Sequence, residues 1–226
     1  MKKFFTNAVF AGLVAFACVS GFAQNQEFRR WEIYGGYQFN SVSTGLGDLE
    51  KSSPEGVTPT TPFENRVSAH GFNASVTGNL TRLFGLKFDY SSNNATIFED
   101  SDIRIRYRNQ QFLGGVQIKN NDTDGPTVKP WGHVLAGLGN QKLRCEGDCF
   151  IKLPSPTGVT SNPFTETNNS FAMVFGGGVD IKVHERIDIR VIQVDYNPIF
   201  FGGNQTLDLP DRTQNNWRFS WGVVFH

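Results

Sequence analysis

Past its first two dozen residues the chain has no apolar run approaching the roughly 20 residues that a membrane-spanning helix needs. If it crosses a membrane, it does so with strands closed into a barrel. An excess of one charge is also missing: 21 Lys and Arg stand against 21 Asp and Glu, and no basic patch interleaved with aromatics marks a phosphate-binding surface. Nucleic acid is therefore not an expected partner. Cysteine is scarce, at three in 226 residues, and only Cys145 and Cys149 lie beyond the amino-terminal segment. Two thiols are fewer ligands than a metal site wants, so neither a metal nor another cofactor is expected.

What is present begins with an export signal. Met1-Lys2-Lys3 gives a basic start, residues 4–22 are mostly apolar, and Gly21 and Ala23 supply the small residues of a cleavage site. This pattern predicts a secretory signal peptide over residues 1–23, cut after Ala23, and one domain over residues 24–226. Removing 23 residues from 226 leaves 203, and loss of Lys2 and Lys3 leaves 19 bases against 21 acids. An exported chain matures under oxidising conditions. Cys145 and Cys149, set around Glu146, Gly147 and Asp148, are accordingly expected to form a small loop disulfide.

The strongest local pattern is at the carboxyl end. Trp217, Phe219, Trp221, Val223 and Phe225 alternate with Arg218, Ser220 and Gly222, which with a side-chain period of two gives a strand with one apolar and one polar face. Seven more segments alternate in the same way, over residues 30–40, 67–80, 84–90, 103–118, 128–141, 170–183 and 187–196. The faces of the fifth are ambiguous, because Trp131, His133 and Leu135 compete with Val134, Ala136 and Leu138. The fourth and seventh change phase part-way. In the fourth, a β-bulge near residues 109–111 would restore one apolar face.

The connections alternate in length. Residues 41–66, 91–102, 142–169 and 197–215 form long segments rich in Gly, Pro, Ser, Thr and Asn, whereas 81–83, 120–127 and 184–186 are short. The expected fold is all-β: an eight-stranded antiparallel transmembrane β-barrel with short periplasmic turns and long outer loops. Turn geometry then pairs Lys182 with Asp188 and Asp180 with Arg190 across the last short turn, and Thr77 with Lys87 across the first. Unlike charges placed opposite one another favour that register.

On these faces the interior would carry Arg30, Glu32, Lys87, Asp89, Arg104, Arg106, Arg108, Asp180, Lys182, Asp188, Arg190 and Arg218. The interior of an eight-stranded barrel is just wide enough for side chains to fill, so a salt-bridged plug is the expected use of these charges.

In Pro130-Trp131-Gly132-His133-Val134-Leu135-Ala136-Gly137-Leu138-Gly139, in Phe175-Gly176-Gly177-Gly178-Val179-Asp180 and in the closing strand, the chain resembles the small eight-stranded outer-membrane β-barrel family. That family includes the membrane domain of OmpA, OmpX and the opacity-type surface proteins. The resemblance implies a place in the outer membrane among lipid and lipopolysaccharide, and dependence on periplasmic chaperones and the barrel-assembly machinery. It also implies that the apolar face of residues Trp217, Phe219, Trp221, Val223 and Phe225 serves as the assembly signal.

For function, the expected role is structural or surface-interacting, without catalysis, in a monomer. Three alternatives stand beside it. The Arg104, Arg106, Arg108 ladder would suit a narrow anion-preferring pore. A lipid A-modifying outer-membrane enzyme would have only His70 or His133 to use, since His184 falls in a turn and His226 at the terminus. A soluble lipocalin-like ligand barrel would leave its aromatic faces exposed to water.

Overall fold

The computed structural model describes residues 28–43, 66–99, 103–147, 164–201 and 212–226. Eight strands follow one another: β1 (Trp31–Ser43), β2 (Arg66–Asn79), β3 (Phe84–Glu99), β4 (Ile103–Lys119), β5 (Val128–Gly147), β6 (Phe164–His184), β7 (Ile187–Phe201) and β8 (Arg212–Phe225). Each pairs antiparallel with its sequence neighbour, and β8 pairs with β1 to close the barrel. Closure removes the open sheet edge that β1 and β8 would otherwise present over their paired residues, Ile33–Ser41 and Trp217–Phe225. The leader expected over residues 1–23 lies outside the described residues.

Outward-facing positions carry the large apolar side chains. Ile33, Phe72, Phe88, Phe112, Leu138, Phe175, Trp221 and Phe225 are all exposed, in the band that lipid would cover. Near its upper border, toward the long connections, run aromatic contacts between neighbouring strands. Tyr37 lies 5.0 Å from Trp221, Tyr90 4.8 Å from Phe112, and Tyr196 5.4 Å from Trp217, measured between ring centroids.

The strands run well past that border, and segments expected as loops turn out to be barrel wall. β3 continues to Glu99, β5 to Gly147 and β7 to Phe201, while β6 starts at Phe164 and β8 at Arg212. In this extension the two faces exchange character. Val42, Val67, Ala69 and Ala95 now point inward as a buried cluster, with Ile97 and Tyr107 packed against it. The outside becomes polar.

That exchange explains the phase change in β4 and corrects its reading. β4 pairs with β5 without interruption from Ile103↔Gly147 to Lys119↔Trp131, so there is no bulge at residues 109–111. Odd-numbered residues face inward throughout, with Asn109, Gln111, Leu113 and Gln117 buried. Arg104, Arg106 and Arg108 therefore lie on the outward register and not in the lumen; Arg106 and Arg108 are exposed. The surroundings invert, from lipid outside to water outside, while the strand keeps its phase.

β7 behaves in the opposite way. Val191 and Ile192 are both exposed, and two residues stand against one on β8 between the pairs Arg190↔Gly222 and Gln193↔Ser220. A real bulge thus shifts the inward set from Asp188 and Arg190 to Gln193, Asp195 and Asn197, all buried.

The inversion makes a prediction that reading β4 by its apolar residues alone would reverse. Tyr107→Asp places a charge against the inner cluster and should destabilise the barrel by about 2 kcal/mol or more. Arg108→Leu, on the outer wall, should change stability by no more than about 0.5 kcal/mol. Urea unfolding in detergent checks both, and a larger loss for Arg108→Leu would contradict the assignment.

Candidate functional site

The buried charges of the described residues all lie in the lumen. Glu32, Asp89, Asp180, Asp188 and Asp195 face Lys87, Lys119, Lys129, Arg190 and Arg218, five acids against five bases, each no more than 3% exposed. Among residues buried to this degree acids and bases balance one for one, and Arg29 and His226 join Asp188 at the rim. Burying so many ions costs several kcal/mol apiece unless each is paired and hydrogen-bonded, and the geometry supplies those partners.

Nearest the short turns, Asp180 is the hub. Arg190 donates to its carboxylate through Nε (2.8 Å) and Nη2 (3.1 Å), a two-pronged contact of the kind guanidinium geometry favours. Lys119 Nζ donates at 2.8 Å and Trp131 Nε1 at 3.0 Å. Lys119 also reaches Glu32 at 3.1 Å, which accepts from Gln117 and Asn79 as well. Asp188 accepts from Lys129 at 2.9 Å and Arg29 at 3.3 Å, and His226 Nε2 lies 2.9 Å away.

The Arg190 guanidinium sits between two rings, 4.3 Å from the centroid of Tyr34 and 4.0 Å from that of Trp131. A cation shielded from water by aromatic faces gains a cation–π attraction on both sides. Lys87 Nζ, 4.7 Å above the same Trp131 ring, links this layer to the next through His133 Nδ1 at 3.2 Å.

Asp195 is the second hub. Arg218 donates to it at 2.8 Å, Gln193 at 2.6 Å, and His133 Nε2 lies 2.9 Å from it. Arg218 also lies 3.5 Å from Asp89, which accepts from Asn73. Gly176 makes room for this hub, since a Cβ there would collide with the Asp195 carboxylate. Farther along, the lumen holds the uncharged amides Gln38, Asn40, Asn93, Asn109 and Asn197, all buried. The apolar cluster around Val42 and Val67 follows.

Of the residues expected in the lumen, Glu32, Lys87, Asp89, Asp180, Asp188, Arg190 and Arg218 are gathered there, and Asp180↔Arg190 and Lys182↔Asp188 are register partners. The turn is closed by His184↔Ile187, with Val183 at the irregularity. Lys182 stands at the rim, where its ammonium donates to the Thr123 carbonyl at 3.2 Å. Arg30 is half-buried and lines, with Arg29, Lys182, Arg186 and His226, an open vestibule of about 550 Å³ below the network. Trp217, Phe219, Trp221, Val223 and Phe225 share the outward register of β8. Cys145 is buried near the far end of β5, and Cys149 lies outside the described residues.

Sequence reasoning missed Lys119, Lys129, Trp131 and Asp195 as members. Lys119 was available by carrying the inward face of Gln111 and Gln117 to the end of the strand. Asp195 was hidden by the bulge. His133 is held between Lys87 and Asp195 inside the barrel, and His70 stands outside beside Tyr37 and Phe39.

The hub geometry sets an order of mutational effects. Asp180→Ala leaves Arg190 without a carboxylate and Trp131 Nε1 without its acceptor, with Lys119 still held by Glu32, whereas Arg190→Ala leaves Asp180 with two donors. Asp180→Ala should therefore cost more, about 3–5 kcal/mol, and a double-mutant cycle should give a coupling of about 2 kcal/mol or more. Urea unfolding in lipid measures both; a coupling near zero would remove the pair.

The model of the outer membrane protein β-barrel domain matches residues 9–225. Solved structures are similar to the chain at low identity. Ail, the attachment invasion locus protein of Yersinia pestis, is 15% identical, with 88% of this chain and 100% of Ail covered at a TM-score of 0.50. OprG from Pseudomonas aeruginosa is 11% identical, with 89% and 98% covered at 0.45. Neisserial surface protein A is 12% identical, with 86% and 96% covered at 0.46. No curated protein matches the chain.

Proposed function

The chain belongs to the outer-membrane β-barrel protein family, and on that premise we propose that it is a closed-lumen scaffold with a structural or surface-interaction role, neither a pore nor an enzyme. The observation that carries this reading is the balance of five buried acids against five buried bases, joined through Asp180 and Asp195. An anion-selective conduit wants a surplus of one sign along its bore. Here the Arg104, Arg106 and Arg108 ladder lies on the outer wall, and the bore ends in amides and then in the apolar cluster around Val42 and Val67.

In this reading the short turns face the periplasm and the extended wall faces outward, as the family's loop asymmetry has it. The leader is removed after Ala23, the closing strand presents Phe225 for assembly, and a Cys145–Cys149 disulfide fastens the loop beyond β5. His133, bonded on both ring nitrogens, supports a structural use of that histidine and not a catalytic one.

Single-channel recording of the refolded protein in a planar bilayer tests the closed lumen. The expected trace shows no resolved openings for the native chain, with conductance appearing in Asp180→Ala or Asp195→Ala. Steady anion-selective conductance in the native protein would overturn the reading.

A further inference from the structure

Above the apolar band, β4 and β5 face each other with like charges. Arg106 is the register partner of Arg144, and Arg108 of Lys142. All four are exposed on the outer wall. Like charges directly opposed across an antiparallel pair destabilise it, and the carboxylate that answers them is Glu146, 3.8 Å from Arg106 and 3.2 Å from Arg144. Among the described residues, no carboxylate lies within ion-pair distance of Arg108 or Lys142. Among the described side chains on this face of the wall, the four cations have Glu146 alone as an ion-pair partner, and Glu146 is also the register partner of Arg104.

The height of the cluster identifies its partner. The last large apolar side chains beneath it are Phe112 and Leu138, both exposed, with the Tyr90 ring tilted against Phe112. Arg108 and Lys142 lie four residues farther along their strands. At about 3.3 Å per residue and a tilt of about 40°, that sets them roughly 10 Å above the apolar border. This is the level of headgroup phosphates, and the cluster points sideways along the membrane plane, away from the loops.

We propose that Arg106, Arg108, Lys142 and Arg144 form a lateral site for the phosphate groups of outer-leaflet glycolipid, so that the anion relieves the cross-strand repulsion between them. A bound phosphoryl group offers several acceptor oxygens to guanidinium and ammonium donors. The inference uses the outward orientation given above and does not depend on the closed lumen; a conducting barrel would leave it intact.

The test is thermal unfolding of the full mature protein in bilayers of phosphatidylcholine with and without lipopolysaccharide. The native chain should melt about 3 °C or more higher with lipopolysaccharide, and dephosphorylated lipopolysaccharide should lose the gain. The variant carrying Arg106→Gln, Arg108→Gln, Lys142→Gln and Arg144→Gln should show no gain, yet be at least as stable as the native chain in phosphatidylcholine, because its repulsion is gone. Arg186→Gln, at the opposite end, should behave as native. Equal gains in variant and native chain would overturn the proposal. So would an equal gain with phosphatidylglycerol, which would indicate a generic anionic surface, or a gain with soluble polyphosphate and none with lipopolysaccharide.

Discussion

A charged side chain sealed inside a closed ring of strands must find its counter-charge within that ring, and the rest of this barrel is arranged around that need. Asp180 and Asp195 each gather donors from several strands. Lys119 of β4, Trp131 of β5 and Arg190 of β7 meet at the first. His133 of β5 and Arg218 of β8 meet at the second. Lys119 of β4 also reaches Glu32 of β1, and Arg218 of β8 reaches Asp89 of β3, so the network ties strands across the lumen as well as along their shared register. Gly176 leaves room for Asp195, and the β7 bulge turns that residue inward.

The second organising feature is the exchange of faces at the upper border of the apolar band. Below it the outside is apolar and the inside charged; above it the inside is apolar and the outside carries Arg106, Arg108, Lys142 and Arg144. One physical rule produces both halves, since each face matches the medium it meets. The continuous β4 ladder crosses the border at about residues 109–111 without a break, and so marks the level at which the chain leaves lipid.

Most of the fold was legible because alternation with a period of two and the short turns leave little freedom. The eight strands, their order, and the pairs Asp180↔Arg190, Lys182↔Asp188 and Thr77↔Lys87 follow from those two signals. Phase changes were harder to read, because the same sequence pattern has two causes. In β7 it marks a bulge; in β4 it marks a change of surroundings. Alternation alone cannot separate them, but the chemistry of the new outward face can: in β7 it stays apolar with Ile192, Val194 and Tyr196, while in β4 it becomes Arg104, Arg106 and Arg108. β5 stayed ambiguous because Trp131 and Leu135 sit inside the lumen, one as a donor to Asp180 and one in an apolar patch with Leu113 and Val174.

The central claim is that the lumen is held by direct contacts between guanidinium and carboxylate groups. Solid-state NMR of the isotope-labelled protein in lipid bilayers measures this through dipolar couplings between arginine side-chain nitrogens and aspartate carboxyl carbons. The account predicts strong couplings from Arg190 to Asp180 and from Arg218 to Asp195, matching donor–acceptor distances of 2.8 Å in both pairs. Absence of both couplings, with the guanidinium signals exchanging freely with water, would contradict it.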